Sequence, residues 1–396
     1  MFSGRYAAWI MWFFGSVFYA YQYILRVMPN IMMEDIMTKY QINATVFGQF
    51  SGFYYIGYAL VHIPVGILLD RYGPKKTMPV FMVLTVIGMA PLAFSDFWLY
   101  PIIGRALVGI GSSSAILGVF KIIRMSFAEE KFAWMLSLSV TIGLSGTIYG
   151  GAPVQYLHEH FGFEKVIMFG MIMGIALSIL TYFVLPKYEA SDSEQSIVRE
   201  VWTVFGNTKV IGICILAGLM VGPLEGFADV WGTTFLKNVY GIDATVAAGL
   251  PSMMYIGMMF GGPFLSFIAE KTQSYLGVVF ACALMMAIAF VALLTTSMST
   301  AVLSVLFFVV GMLCAYQILA IAYAATCVPK QVAGLTSAVA NMIIMLFGYF
   351  FHTVIGKVID AFSMTAQGFV FGISVIPIAL MIAAIGFGVM MARKTY

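Results

Sequence analysis

Charge is what this sequence has least of. Only 9% of its 396 residues are Asp, Glu, Lys or Arg, against roughly 25% in an ordinary soluble domain. A water-facing surface for a globule of this length cannot be built from so few, which excludes a soluble enzyme. The net charge of +3 gives no ground to expect a nucleic-acid partner. Cysteine is also sparse: Cys214, Cys282, Cys314 and Cys327 all fall inside apolar runs without metal-ligand spacing. Neither a disulfide frame nor a zinc site follows, and they read as small packing residues. Two fragments imitate cofactor sites and fail. Gly73-Pro74-Lys75-Lys76-Thr77 lacks the frame of a phosphate-binding loop, and His158-Glu159 has Gly162 where a zinc helix needs its second histidine. No metal site and no cofactor are expected.

Hydrophobic residues, by contrast, make up 62% of the chain. Apolar runs of ~18–27 residues, the length a bilayer demands, fall near 7–31, 45–69, 78–95, 99–123, 133–155 and 165–185, and again near 209–234, 246–268, 275–295, 299–325, 332–354 and 367–391. The first is too long for a signal peptide and has no small-residue cleavage site, so it reads as a membrane helix. The expected fold is all-α and integral to the membrane, with twelve transmembrane helices in two sets of six. Residues 1–186 form an amino-terminal bundle, 187–208 a cytoplasmic linker and 209–396 a carboxyl-terminal bundle. In the linker, Ile197, Val201, Trp202 and Phe205 are spaced to lie along the membrane surface as an amphipathic helix. Fourteen Lys and Arg fall on the side that holds both termini and four on the other, with Arg26 and Arg105 inside helices. The positive-inside rule then places both termini in the cytoplasm.

The two halves repeat at an offset of 200: Tyr40, Ile42, Ala44-Thr45-Val46 and Tyr55-Ile56-Gly57 recur as Tyr240, Ile242, Ala244-Thr245-Val246 and Tyr255-Ile256-Gly257. The offset is expected to continue through Gly111/Gly311. Six spans separate the copies, so the halves share one orientation, a repeat architecture of secondary transporters. Asn43 and Asp243 stand just before the repeated Ala-Thr-Val, where each would cap the next helix.

Gly66-x-Leu68-x-Asp70-Arg71-x-Gly73-x-Lys75-Lys76, between the second and third runs, and Arg105-x-x-x-Gly109-x-Gly111 in the fourth are the most specific motifs. With the two-times-six repeat, they make the whole chain similar to the major facilitator superfamily. Pro74 stands where that family usually has a basic residue. Gly146-Thr147-Ile148-Tyr149-Gly150-Gly151 has threonine where the family's antiporters have proline, which argues against a drug/proton antiporter. Pro329-Lys330-Gln331-Val332-Ala333-Gly334, with Gly348-Tyr349, resembles bacterial solute and organic-phosphate permeases of the superfamily, and amino-acid permeases of intracellular bacteria. The resemblance implies that Gly66, Asp70, Arg71, Gly73, Arg124 and Gly334 form a gate on the cytoplasmic side. In that gate Asp70 meets the amino-terminal end of the eleventh helix and pairs with Arg124. The weaker copy Glu270-Lys271 predicts that the gate is asymmetric.

An ionisable group inside a bilayer costs roughly 2.5 kcal/mol or more unless paired or hydrated, which makes Arg26, His62, Arg105, Lys121, Glu225 and Asp229 candidates. Arg26 and Arg105 in the first half stand at a depth similar to that of Glu225 and Asp229 in the second. Solute binding and coupling, salt bridges that close the outer side, and packing within one half all fit these four. Tyr19, Gln22, Tyr23 and Arg26 share one face of the first helix, and Tyr55, Tyr58 and His62 one face of the second. The first set suits a polar cavity or an aromatic packing face; His62 suits a proton relay or an interhelical hydrogen bond. Gln317 and Asn341 fall near mid-membrane, and Lys121 is expected to snorkel to the cytoplasmic surface.

These observations point to a secondary active transporter, working as a monomer by alternating access in a plasma membrane of bacterial inner-membrane type. Its partners are a small-molecule substrate and the lipid bilayer, and its coupling ion is H⁺. Amino acids, short peptides and organic anions are the expected solutes. An exporter of amphipathic drugs and a non-transporting, solute-sensing receptor are the rival readings.

Overall fold

The computed structural model describes residues 5–186, 197–329 and 332–394, which are nearly all helical. The start of the linker, 187–196, and the pair Lys330-Gln331 lie outside the described residues. Among the described residues, ten helices are long and apolar enough to cross a bilayer, and a bent pair makes an eleventh. Arg5–Ile31 adds a further helix of 27 residues. Its polar residues Gln22 and Arg26 are buried in the protein, 2% and 7% exposed.

The long helices of the first half are α1 (Arg5–Ile31), α2 (Ala44–Leu60 and His62–Tyr72), α3 (Pro74–Phe94), α4 (Leu99–Ser126), α5 (Glu129–Phe161) and α6 (Phe163–Val184). Those of the second are α7 (Thr208–Tyr240), α8 (Ala244–Thr272), α9 (Tyr275–Thr295), α10 (Thr300–Thr326), α11 (Ala333–Ala361) and α12 (Ala366–Ala392). The helix expected in the linker is present as Ile197–Phe205, with Trp202 exposed. A short helix, Met33–Tyr40, occupies what reads as a loop in the sequence. Asn43 and Asp243 cap as expected, Asn43 accepting from the Val46 N–H and Asp243 from those of Thr245 and Val246.

In lipid every backbone polar group must be satisfied inside the protein, so breaks in these helices need causes. α2 bends by 48° at Val61, because Pro64 has no N–H for the Leu60 carbonyl and its ring crowds that oxygen. α5 breaks at Gly151, two residues before Pro153. α4 breaks at Ser113, whose N–H is shared between the carbonyls of Gly109 and Ile110 while its hydroxyl donates to Ile110 at 2.6 Å. A serine hydroxyl competing for the helix's own acceptors loosens it there.

The chain forms two compact units: Met1–Ile42 with Phe53–Glu194, and Asn43–Gly52 with Gln195–Tyr396. The first ten residues or so of the α2 region therefore cluster with the second unit. Within the first unit a Cβ on Gly57 would collide with the Ala106 carbonyl, and one on Gly109 with that of Tyr54. Within the second, Gly257 meets the Phe308 carbonyl and Gly311 that of Met254 in the same way. These glycines let helix backbones touch, the way membrane helices associate when no hydrophobic drive separates them from lipid. The repeat is thus one packing arrangement used twice, with one correction. The counterpart of Gly311 is Gly109, two residues before the expected Gly111, which packs against α3 at the Phe81 carbonyl instead.

Candidate functional site

In the first unit the polar face of α1 is real and largely buried. Tyr54 donates to Gln22 Oε1 at 2.5 Å, the Tyr19 and Tyr23 hydroxyls stand 3.5 Å apart, and Tyr58 stacks beside Tyr54. The Arg26 guanidinium lies 5.3 Å from the centre of the Tyr23 ring and 5.1 Å from that of Tyr55. Aromatic faces stabilise a desolvated guanidinium by cation–π attraction and hold its planar fork in one orientation. His62 begins the lower segment of α2 at the Val61 bend, its ring 5.3 Å from that of Tyr58. Its Nδ1 is buried and makes no hydrogen bond among the described residues.

Arg105 has a different occupation. It donates from Nη1 to the Leu25 carbonyl at 2.6 Å and from Nη2 to the Arg26 carbonyl at 2.8 Å. The reason lies in α1: Pro29 has no N–H to give the carbonyl four residues back, which is Leu25. The guanidinium replaces that missing donor, and its 5.0 Å approach to the Tyr54 ring fixes it further. Arg105 therefore braces the proline-weakened turn that carries Arg26.

The Gly66-to-Thr77 stretch turns at Gly73, whose φ of 73° only glycine adopts readily. Asp70 accepts from Lys121 at 2.8 Å, while Arg124, the expected partner, sits over the Phe132 ring at 5.3 Å. Both cations still line a cavity of about 370 Å³ with Gly66 and Asp70. A Cβ on Gly66 would meet no described atom within 4 Å, and the same holds for Gly334 on α11. At the other end of this unit His158, set aside as a zinc ligand, pairs with Asp35 at 2.7 Å, and Lys39 with Glu164 at 3.3 Å. There the Tyr40 hydroxyl donates to the Pro91 and Leu92 carbonyls. Burial, with Asp96 and Glu164 nearby, pushes it up to about 12.

In the second unit Glu225 and Asp229, 1% and 0% exposed, stand in one continuous π-helical stretch, Gly222–Trp231. A π-helix of this length is rare, and such turns concentrate at functional sites. Pro223 opens the stretch by withholding an N–H. Phe227 anchors it among Phe235, Phe290 and Phe307, with ring centres 5.4–5.7 Å away. The Glu225 carbonyl is 2.6 Å from His352 Nε2; a carbonyl only accepts, so Nε2 carries the proton. Trp231 in turn donates to the His352 carbonyl at 3.3 Å. His352 is absent from the sequence candidates, although it lies inside the apolar run 332–354, the same signal that marks His62. Gln317 is buried just after the break of α10 at Ala315, and Asn341 is half-buried on α11.

Comparison with known proteins agrees with this architecture. The chain is 23% identical over 282 residues to an uncharacterized transporter, YybO, of Bacillus subtilis (strain 168), covering 63% of each chain. It is 23% identical to a hexuronate transporter of the same strain, over 63% of this chain and 62% of that one. The matches thus span less than two thirds of these relatives. In fold it is similar to a bacterial homologue of the human lysosomal transporter Spinster, with a TM-score of 0.74 at 17% identity, covering 100% of this chain and 98% of the other. Residues 11–353 match the Major Facilitator Superfamily as a whole, and the chain belongs to that superfamily, a group of multi-pass membrane transporters and not of enzymes.

Proposed function

We propose that this protein is a secondary active transporter that moves a small polar solute, an amino acid, short peptide or organic anion, by proton-coupled alternating access. The observation that carries the reading is the placement of Glu225 and Asp229, both fully buried, on the π-helical stretch of α7. A carboxylate deprived of water is stable when protonated and costly when ionised, so water access and proton occupancy are tied together at this pair. Its π geometry can relax toward α-helix and re-aim both side chains, which joins the same proton to a change of conformation. Arg26, oriented by Tyr23 and Tyr55, offers a planar fork for a carboxylate or phosphate of the solute. The similarity to a hexuronate transporter supports an organic anion, and the coexistence of both signs supports a zwitterion. Tyr19, Gln22, Tyr58, His62, Gln317 and Asn341 supply the remaining polar contacts, and Arg105 keeps α1 in shape.

In this reading the protein is a monomer in a bacterial inner membrane with both termini cytoplasmic. Gly66, Asp70, Arg71, Gly73, Arg124 and Gly334 close its cytoplasmic side when the other side is open. Purified protein in liposomes, tested with labelled amino acids, peptides and sugar acids under an imposed pH gradient, should accumulate one class. Glu225→Gln should abolish gradient-driven accumulation while sparing solute exchange, and Arg26→Ala should weaken binding. If both variants accumulate solute as the parent does, with the same pH dependence, the assignment is wrong.

A further inference from the structure

The first turn of α2 is held by a residue more than three hundred positions away. The Ala44 N–H donates to Asp360 Oδ1 at 2.9 Å, the Thr45 N–H to Oδ2 at 2.6 Å, and the Thr45 hydroxyl to Oδ2 as well. Asp360 lies in the last turn of α11. Helix amino termini leave N–H groups unsatisfied, and a carboxylate there is favoured by both hydrogen bonding and the helix dipole. This turn already has its own cap, however, because Asn43 takes the Val46 N–H at 3.0 Å. At the repeated start of α8 the cap is local: the adjacent Asp243 receives the N–H groups of Thr245 and Val246. At α2 the equivalent Thr45 N–H goes instead to the distant Asp360, with that of Ala44, so that the carboxylate joins two helices.

The surfaces it joins are shaped to meet. A Cβ on Gly48 would collide with the His352 carbonyl, one on Gly52 would lie 2.8 Å from the Tyr349 ring, and one on Gly356 would collide with the Ala44 carbonyl. Trp231 completes the contact, edge-on to Phe47 with 5.7 Å between ring centres while bonding the His352 carbonyl. His352 also touches the Glu225 carbonyl. One face of α11 thus carries, in order, the contact to the acid-bearing π-helix, the glycine-lined seam with α2 and the carboxylate that closes it.

We propose that Asp360 is a positioning residue of the transport cycle: its carboxylate latches the first turn of α2 to α11, and release of that latch frees this end of α2. What the release accomplishes rests on the transport reading above, but the latch itself does not. Ser51 provides the probe. It is fully buried between Gly48 and Gly52 in the chain, and its hydroxyl makes no hydrogen bond among the described residues, so Ser51→Cys places a buried thiol beside the two seam glycines at little cost. The test is the rate of maleimide labelling of that thiol in detergent-purified protein, with Cys327→Ser removing the one natural thiol that is not buried.

Asp360→Asn should raise the labelling rate about tenfold, the order expected when charge-assisted hydrogen bonds are weakened. Thr45→Val should raise it less, and Asp360→Glu should restore part of the protection. Asn43→Ala, which removes only the local cap, should lower the melting temperature without the same rise. Equal labelling in Asp360→Asn, Thr45→Val and the parent would overturn the latch. So would an equal rise in Asn43→Ala, since the bond would then be an ordinary helix cap. Should Asp360→Asn fail to fold, Thr45→Val decides. Loss of solute uptake with unchanged labelling would count against the latch and leave the transport reading standing.

Discussion

At Arg105 the identity of the residue is explained by a proline on another helix. Sequence alone marks it as a charge inside the membrane and leaves open whether it binds solute, bridges halves or packs. The structure gives it two backbone carbonyls, one of which Pro29 has left without its usual donor. Lysine cannot span both oxygens with one ammonium group, so Arg105→Lys should destabilise the protein by about 2 kcal/mol, read as a lower melting temperature. Pro29→Ala restores the N–H that Leu25 lacks, and it should lessen the cost of Arg105→Ala in a double-mutant cycle. A strictly additive pair would show that the guanidinium is not serving as the proline's substitute. Nothing in the sequence near Arg105 announces this, because every residue carries a carbonyl and only packing selects two of them.

Among the elements, α7 departs furthest from what its sequence suggests. Its apolar run and its two carboxylates are legible in the sequence, but the π-helix on which both carboxylates stand is not. Pro223, Gly222 and Gly226 weaken the α-helical register locally, while Phe227 and His352, reached only through tertiary contact, hold the alternative. Pro223→Ala returns a donor to the stretch and should favour ordinary helix. The expected outcome is a melting temperature unchanged or raised by a few degrees, together with slower solute uptake, the trade-off typical of strained functional segments. Uptake at the parent rate would mean that the π geometry is not needed for transport. On α4, by contrast, the break at Ser113 has a visible cause in the run Ser112-Ser113-Ser114.

For the molecule as a whole, the distribution of Lys and Arg makes the firmest statement. If both termini are cytoplasmic, a fluorescent protein fused after Tyr396 should fluoresce in cells and a periplasm-dependent phosphatase fused there should be inactive; the opposite pattern would invert the topology. The sequence by itself determined the all-helical membrane character, the two-fold repeat, the superfamily motifs and the short list of intramembrane charges. Each follows from local composition under one strong constraint, that lipid admits only apolar helices of sufficient length. Tertiary structure alone decided which charge serves which purpose. Arg105 braces α1, Lys121 rather than Arg124 holds Asp70, and Asp360, a charge beyond the end of its apolar run, reaches α2. It also moved the counterpart of Gly311 from Gly111 to Gly109. These are pairings between residues far apart in the chain, often with backbone atoms common to every sequence. Hydrogen-bond partners are chosen by proximity, and proximity exists only after the helices have packed.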